Sequence, residues 1–207
     1  NNMNYKEILE YIHSIPKFNR VLGNALLEKL LNKMGNPQDN LKFIHIGGTN
    51  GKGSTCTMVS QILTEAGYKT GLFTSPFLKF FNERIKINGV PISNSDLADI
   101  ASYVKKITEK YDAFVSEFAF DTAVAFEYFN RQNCDFVILE VGLGGKLDAT
   151  NIIKNPLVVG FTAIGLDHCQ YLGNTIDEIS KEKAGRSAKK QTEPKRWSIR
   201  LIQQLTL

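Results

Sequence analysis

The sequence is poor in cysteine and has no long hydrophobic run. Its three cysteines, Cys56, Cys134 and Cys169, are far apart and form no CxxC pair. An odd, scattered set excludes both a disulfide framework and a cysteine-based zinc site, and predicts a reduced, cytoplasmic protein. No apolar stretch approaches the roughly 20 residues that cross a bilayer. The start of the chain, Asn1-Asn2-Met3-Asn4-Tyr5-Lys6, lacks the apolar core of a signal peptide. Internal repeats and low-complexity linkers are also missing.

What is present suits one globular domain. The chain has 207 residues, 43% of them hydrophobic, enough for a real core. The net charge of +4 comes from one end. From Arg186 onward there are six basic residues and one acid, which leaves 19 basic and 20 acidic residues before it. A near-neutral body with a short basic tail argues against nucleic acid as a partner.

Periodicity predicts helices over Tyr5–Ile12, Leu22–Met34, Asn94–Lys110 and Phe118–Asn130. A helix over Ser54–Ala66 is expected to carry Met58, Ile62 and Leu63 on one side, and Gly67 closes it. Phe43–Ile46, Lys69–Thr74, Asp135–Val141 and Leu157–Thr162 read as strands, and Glu83–Val90 as an extended piece turning at Asn88-Gly89. Thr175, with Glu178 three residues on, reads as the capping box of a last helix to Ala184. Strands alternating with helices predict an α/β fold with a mostly parallel sheet covered on both faces.

Four features carry chemistry. Gly48-Thr49-Asn50-Gly51-Lys52-Gly53-Ser54 lies between a strand and a helix. Glycines let backbone N–H groups turn in around a phosphate, the helix N-terminus adds positive potential, and Lys52 can reach phosphate oxygens. The match to a phosphate-binding loop is imperfect: Ile46 stands where the first glycine belongs, and Gly53 separates Lys52 from Ser54. The plain alternative is a glycine-rich turn.

Glu140 ends the apolar strand and is followed by Gly142-Leu143-Gly144-Gly145. A carboxylate at such a strand tip lies where open α/β sheets bind ligands and can hold magnesium; the alternative is a solvated strand-end acid. Asp148 is either a second carboxylate or a turn residue. Spacing leaves His168 undecided between ligand and structural residue, while His13 and His45 read as structural. Lys181-Glu182-Lys183 alone reads as a solvent-facing charge run, and Thr74-Ser75-Pro76-Phe77 as a turn.

Taken together and in order, these pieces resemble a known family. Gly48–Ser54, Thr74-Ser75-Pro76, Phe81-Asn82-Glu83-Arg84-Ile85, Glu140–Gly145, Leu147-Asp148-Ala149-Thr150-Asn151, Leu166-Asp167-His168 and Glu182-Lys183-Ala184-Gly185 are similar to the N-terminal ATPase domain of folylpolyglutamate synthase/dihydrofolate synthases. These form a branch of the Mur ligase superfamily. The resemblance covers about residues 5–185 and implies a three-layer α/β fold of the Mur ligase central-domain type.

It also implies an ATP-dependent amide ligase. ATP phosphorylates a carboxylate of dihydropteroate or of a folate tail, and glutamate's amine displaces the phosphate. Thr49, Asn50, Gly51, Lys52, Gly53 and Ser54 are then the ATP loop. Ser75, Glu140 and His168 are magnesium ligands, with Lys183 a fourth if carbamylated. Lys52, His168 and Lys183 are the expected catalytic set. Leu22, Gly23, Pro76, Arg84, Phe118, Leu147 and Asp148 fall where the pterin substrate is held.

The chain departs from the family pattern at Ala25 and Leu26, where an acid and an arginine are usual, and at Ala119, where a second acid is usual. After Gly185 the family runs into a glutamate-binding domain. Here Arg186–Leu207 reads as an aberrant basic tail. The expectation is therefore an ATPase half that does not ligate alone and self-associates through an uncovered face. A nucleotide-binding pseudoenzyme is the alternative, and a small P-loop kinase is disfavoured because kinases do not require the Ser75, Glu140, His168, Lys183 set.

Overall fold

The computed structural model describes residues 3–17, 23–143 and 147–164. Leu22, His168, Lys183, the Thr175–Ala184 helix and the basic tail lie outside the described residues.

Six strands form one sheet: β1 (Phe43–Gly47), β2 (Thr70–Phe73), β3 (Ile85–Ile87), β4 (Val90–Pro91), β5 (Phe136–Glu140) and β6 (Val158–Phe161). Their order is β4-β3-β2-β5-β1-β6. β2, β5, β1 and β6 run parallel, and β3 and β4 add an antiparallel edge. Parallel neighbours need long crossovers, which helices supply. α3 (Lys52–Glu65) links β1 to β2, while α4 (Asn94–Lys110) and α5 (Glu117–Arg131) precede β5. α1 (Tyr5–Ser14) and α2 (Ala25–Lys33) lead into β1.

β5 shows why the apolar run is continuous. Successive strand residues face opposite ways. Val137 and Leu139 enter one large core with α1, α2, α4 and α5, and Ile138 enters a small cluster under α3. All three are fully buried. The sheet is thus a middle layer between four helices and one.

Local signals act as elementary chemistry requires. Asn4 and Glu7 form a reciprocal capping box on α1, and Ser93 accepts the Asp96 N–H at the start of α4. Asn88 and Gly89 both have positive φ, 49° and 78°, the geometry of a tight two-residue hairpin. The extended piece expected over Glu83–Val90 is shorter than the pattern suggested, because Phe81–Arg84 form a 3-10 turn first.

One expectation fails. α3 begins at Lys52, two residues early, and its buried stripe is Cys56 and Ser60, with Val59 and Leu63 packed beside them. Met58 and Ile62 are 58% and 67% exposed. Positions 56, 59, 60 and 63 share one helical face, whereas 58 and 62 lie roughly opposite Cys56 and Ser60.

Candidate active site

β1 is hydrogen-bonded to β5 on one side and β6 on the other, yet the chain leaving it crosses past β5 to β2. Such a reversal opens a crevice at the carboxyl ends of the strands. The glycine loop leaves β1 into that crevice.

Its backbone is fixed by close approaches. Thr162 donates its N–H and hydroxyl to the Gly47 carbonyl, at 2.9 and 3.2 Å, and the Thr49 N–H reaches the Ala163 carbonyl at 2.8 Å. Gly48 has φ 134°, and a Cβ there would collide with Thr162 Oγ1 and stand 3.0 Å from Thr162 N. No larger residue fits. Ile46, where a phosphate loop's first glycine belongs, is still inside β1, paired with Glu140 and Gly160. The loop therefore tightens two residues later, at Gly48.

Gly51 precedes α3 with φ 79° and no side chain caps the helix. The uncapped first turn presents N–H groups and the positive end of the helix dipole. Lys52 folds back, its ammonium donating to the Thr49 carbonyl at 3.0 Å.

Glu140 faces this helix end. A Cβ on Gly53 would lie 3.6 Å from Glu140 Oε2, an ordinary contact. The same oxygen accepts the Ser75 N–H at 2.9 Å, so the loop after β2 is tied to the tip of β5. Glu140 is buried, and burial raises its pKa; the Ser75 N–H and the Lys52 ammonium pull it back, while Asp148 adds to the rise. The structure thus brings Lys52, Gly53, Ser75 and Glu140 together. Among the described residues, no group of three or more histidines, cysteines, aspartates or glutamates is placed to hold a metal ion.

Asp148 is fully engaged in holding the loop after β5. Its Oδ2 accepts the Leu143 N–H at 2.9 Å, and Oδ1 accepts the Thr150 N–H at 2.9 Å and the Thr150 hydroxyl. Its carbonyl accepts Asn24 Nδ2 at 2.9 Å, which ties this turn to the segment before α2. Burial is the largest influence on its carboxyl and raises the pKa, against those donors. Behind it, His45 Nε2 lies 2.8 Å from Thr150 Oγ1, and burial lowers its pKa to about 4, so the ring is neutral.

Of the residues expected around a pterin, Leu22 lies outside the described residues and the others are not all at one rim. Phe118 packs on Phe73, ring centroids 5.6 Å apart, and its ring lies where a Gly142 Cβ would be, at 2.7 Å. Gly23 has φ 95°, and a Cβ there would lie 3.9 Å from Leu147 Cδ2. Leu147 and Pro76 are exposed. Arg84 instead turns inward: its Nε lies 3.7 Å from Asp121 Oδ2, and its guanidinium stands over the rings of Phe77 and Phe81 at 5.1 and 5.8 Å. Asp121 was missed in the sequence. An acid inside Phe118-Ala119-Phe120-Asp121-Thr122-Ala123 was the signal that could have revealed it.

Comparison with known proteins agrees with this geometry. Residues 46–188 match the Mur ligase middle domain. The dihydrofolate synthase/folylpolyglutamate synthase of Bacillus subtilis is 42% identical over 186 residues, 87% of this chain and 43% of that protein. A solved FPGS–AMPPCP–folate complex superposes with a TM-score of 0.84 at 41% identity, covering 88% of this chain and 46% of the other. E. coli FolC in complex with DHPP and ADP gives 0.81 at 33% identity, covering 88% and 44%. The chain spans less than half the length of these relatives. Through its middle domain, with the glycine loop at the head of α3 and Glu140 beside it, this chain belongs to the Mur ligase family.

Proposed function

We propose that these 207 residues supply the nucleotide half of an ATP-dependent acid–amino-acid ligase acting on dihydropteroate or on the glutamyl tail of a folate. The observation that carries this reading is the meeting of a helix N-terminus without a side-chain cap, the Lys52 loop and the buried Glu140, which accepts the Ser75 N–H, in one crevice. The complexes of its relatives with AMPPCP, folate, DHPP and ADP support it.

A carboxylate is a poor electrophile. Transfer of the γ-phosphoryl group to it makes an acyl phosphate, which the amine of glutamate attacks with loss of phosphate. The protein's share is positioning and charge neutralisation. Backbone N–H groups of the loop and the first turn of α3 receive the phosphates. Lys52 leaves the Thr49 carbonyl to meet phosphate oxygens.

Glu140 and the Ser75 hydroxyl are oxygen donors that suit magnesium, and a desolvated carboxylate with one N–H partner has a lone pair to spare for it. Bound there, the ion would neutralise charge on the phosphates. His168 and Lys183 are proposed as further ligands by the family resemblance.

The test is ATP affinity of the purified chain by calorimetry, with and without magnesium, followed by a ligation assay. Magnesium-enhanced ATP binding without glutamylated product is the expected result. Absence of ATP binding would overturn the nucleotide assignment. Steady ligation by this chain alone would show that glutamate is captured within it.

A further inference from the structure

His45 is polar where packing calls for an apolar residue. It lies in β1, opposite Leu139 on one side and Val159 on the other, and is 2% exposed. Phe43, two residues earlier on the same face, belongs to the large core. Burying an imidazole there is costly without a hydrogen bond, and a leucine or valine would fill such a place at no polar cost. What His45 does that an apolar residue cannot do is reach Thr150, with Nε2 2.8 Å from Oγ1.

The order of protons along this contact follows from counting donors. A threonine hydroxyl has one hydrogen. Thr150 gives it to Asp148 Oδ1, which also accepts the Thr150 N–H at 2.9 Å. Asp148 Oδ2 accepts the Leu143 N–H at 2.9 Å. Such donors suit an ionised carboxylate, which only accepts. The Thr150 oxygen therefore meets the ring with a lone pair. The buried ring is neutral and has one N–H, and this contact places it on Nε2.

Asp148 in turn shapes the wall of the crevice. Gly142 and Leu143 follow the tip of β5, and the Leu143 N–H is held by this carboxylate. A Cβ on Gly142 would stand 2.7 Å from the Phe118 ring and 3.0 Å from Asp148 Oδ2, so the chain passes between them with no room to spare. The Asp148 carbonyl, accepting Asn24 Nδ2 at 2.9 Å, ties down the other side.

We infer that His45 and Thr150 are positioning residues for the acid-substrate side of the crevice. A hydrogen-bonded chain of fixed proton order, from His45 Nε2–H to the Thr150 hydroxyl to the Asp148 carboxylate, holds Gly142 and Leu143 against Phe118. The link to substrate rests on the proposed ligase reading; the proton order and the hold on Leu143 do not.

The test uses the purified 207-residue chain. Long-range proton–nitrogen NMR spectra of the His45 ring should show the Nε2–H tautomer. Two disruptive variants, His45→Phe and Thr150→Val, remove the donor and the hydroxyl while keeping most of the bulk. Two conservative ones, His45→Gln and Thr150→Ser, keep a hydrogen-bonding group in reach. Amide hydrogen exchange at Leu143 should quicken about tenfold in the disruptive pair and return towards the parent rate in the conservative pair. Affinity for folic acid, read by calorimetry, should fall about tenfold and recover in the same pattern, with ATP affinity unchanged.

An Nδ1–H ring, Leu143 exchange unmoved by both disruptive variants, or equal losses of folic acid and ATP binding without rescue would each overturn the positioning role. Where a His45 variant does not fold, the Thr150 pair makes the same comparison, and the tautomer needs no variant. A parent with the expected tautomer and exchange pattern that binds no folic acid sinks the ligase reading and leaves the hydrogen-bonded chain standing.

Discussion

The two faces of the sheet divide labour. On one, four helices bury a continuous core that includes Phe73, Phe120, Phe126 and Phe129. On the other, among the described residues, α3 covers Ile46, Leu72 and Ile138, with its own Cys56 buried among them. The thick face supplies burial energy, roughly 25 cal/mol for each Å² of apolar surface. The thin face carries the glycine loop, Lys52 and the approach to Glu140. The proposed phosphate loop needs its backbone N–H groups open to a ligand, and it lies on the face that α3 covers.

Predictions that probe this contrast run from strong to weak. Phe126→Ala on the thick face should cost about 3–5 kcal/mol in unfolding free energy, because a fully buried ring leaves a cavity. Denaturant titration measures it, and ATP affinity at low temperature should be unchanged in the folded fraction. Stability within 1 kcal/mol of the parent would mean the core can collapse around the gap, against the rigid-layer picture.

Lys52→Ala should do the reverse. It removes the loop's cation and should weaken ATP by about 2–4 kcal/mol, the scale of a charge-assisted contact in a desolvated site. Its melting temperature should barely move, since among the described residues the ammonium's hydrogen bond is to the Thr49 carbonyl. Unchanged ATP affinity would refute the phosphate loop.

Asp121 tests the thick face's one liability. Its folded pKa of about 8 lies above the unfolded value of 3.8. A raised carboxyl pKa means the folded state holds the proton more tightly, so its favourable contribution is full below about pH 4 and is lost as pH rises towards 8. Asp121→Asn should therefore gain on the parent by about 1–3 kcal/mol between pH 5 and 8 in chemical denaturation series. A constant difference across that range would show that Asp121 is ionised throughout.

The smallest effect is expected on the outer side of α3. Ile62→Ser should change stability by no more than about 0.5 kcal/mol, because Ile62 is 67% exposed. A larger loss would mean that another layer covers α3 in solution, and that the thin face is thicker than it looks.

Much of the fold was legible because its signals are local. The apolar spacing of α1, the Asn88-Gly89 turn and the apolar run of β5 each state their structure in a few residues. α3 was read less well. Of its expected apolar stripe, Met58 and Ile62 are exposed and Leu63 alone packs on the buried face, where Cys56 and the small polar Ser60 are the buried residues. Hydrophobicity alone cannot show that a helix packs through small residues.

The site divides in the same way. Lys52, Ser75 and Glu140 could be named from motif order, and the structure places them beside one another, while their roles remain those proposed here. Asp148 shows the limit. As a loop aspartate it reads equally well as a free carboxylate or a turn residue, and only the packed chain reveals both oxygens engaged by Leu143 and Thr150. Gly48 is similar: the sequence gives a glycine among glycines, and the obligation at that position comes from Thr162, more than a hundred residues away.

By itself, the sequence determined the alternation of strands and helices, the glycine loop at a strand-to-helix junction and the membership in the Mur ligase family, since each is written in short-range order along the chain. Only the tertiary structure decided the sheet order, the face that α3 buries, the commitment of Asp148 to its own loop and the meeting of Arg84 with Asp121. Those depend on which distant segments share a desolvated space, and in that space a carboxylate's neighbours fix its charge.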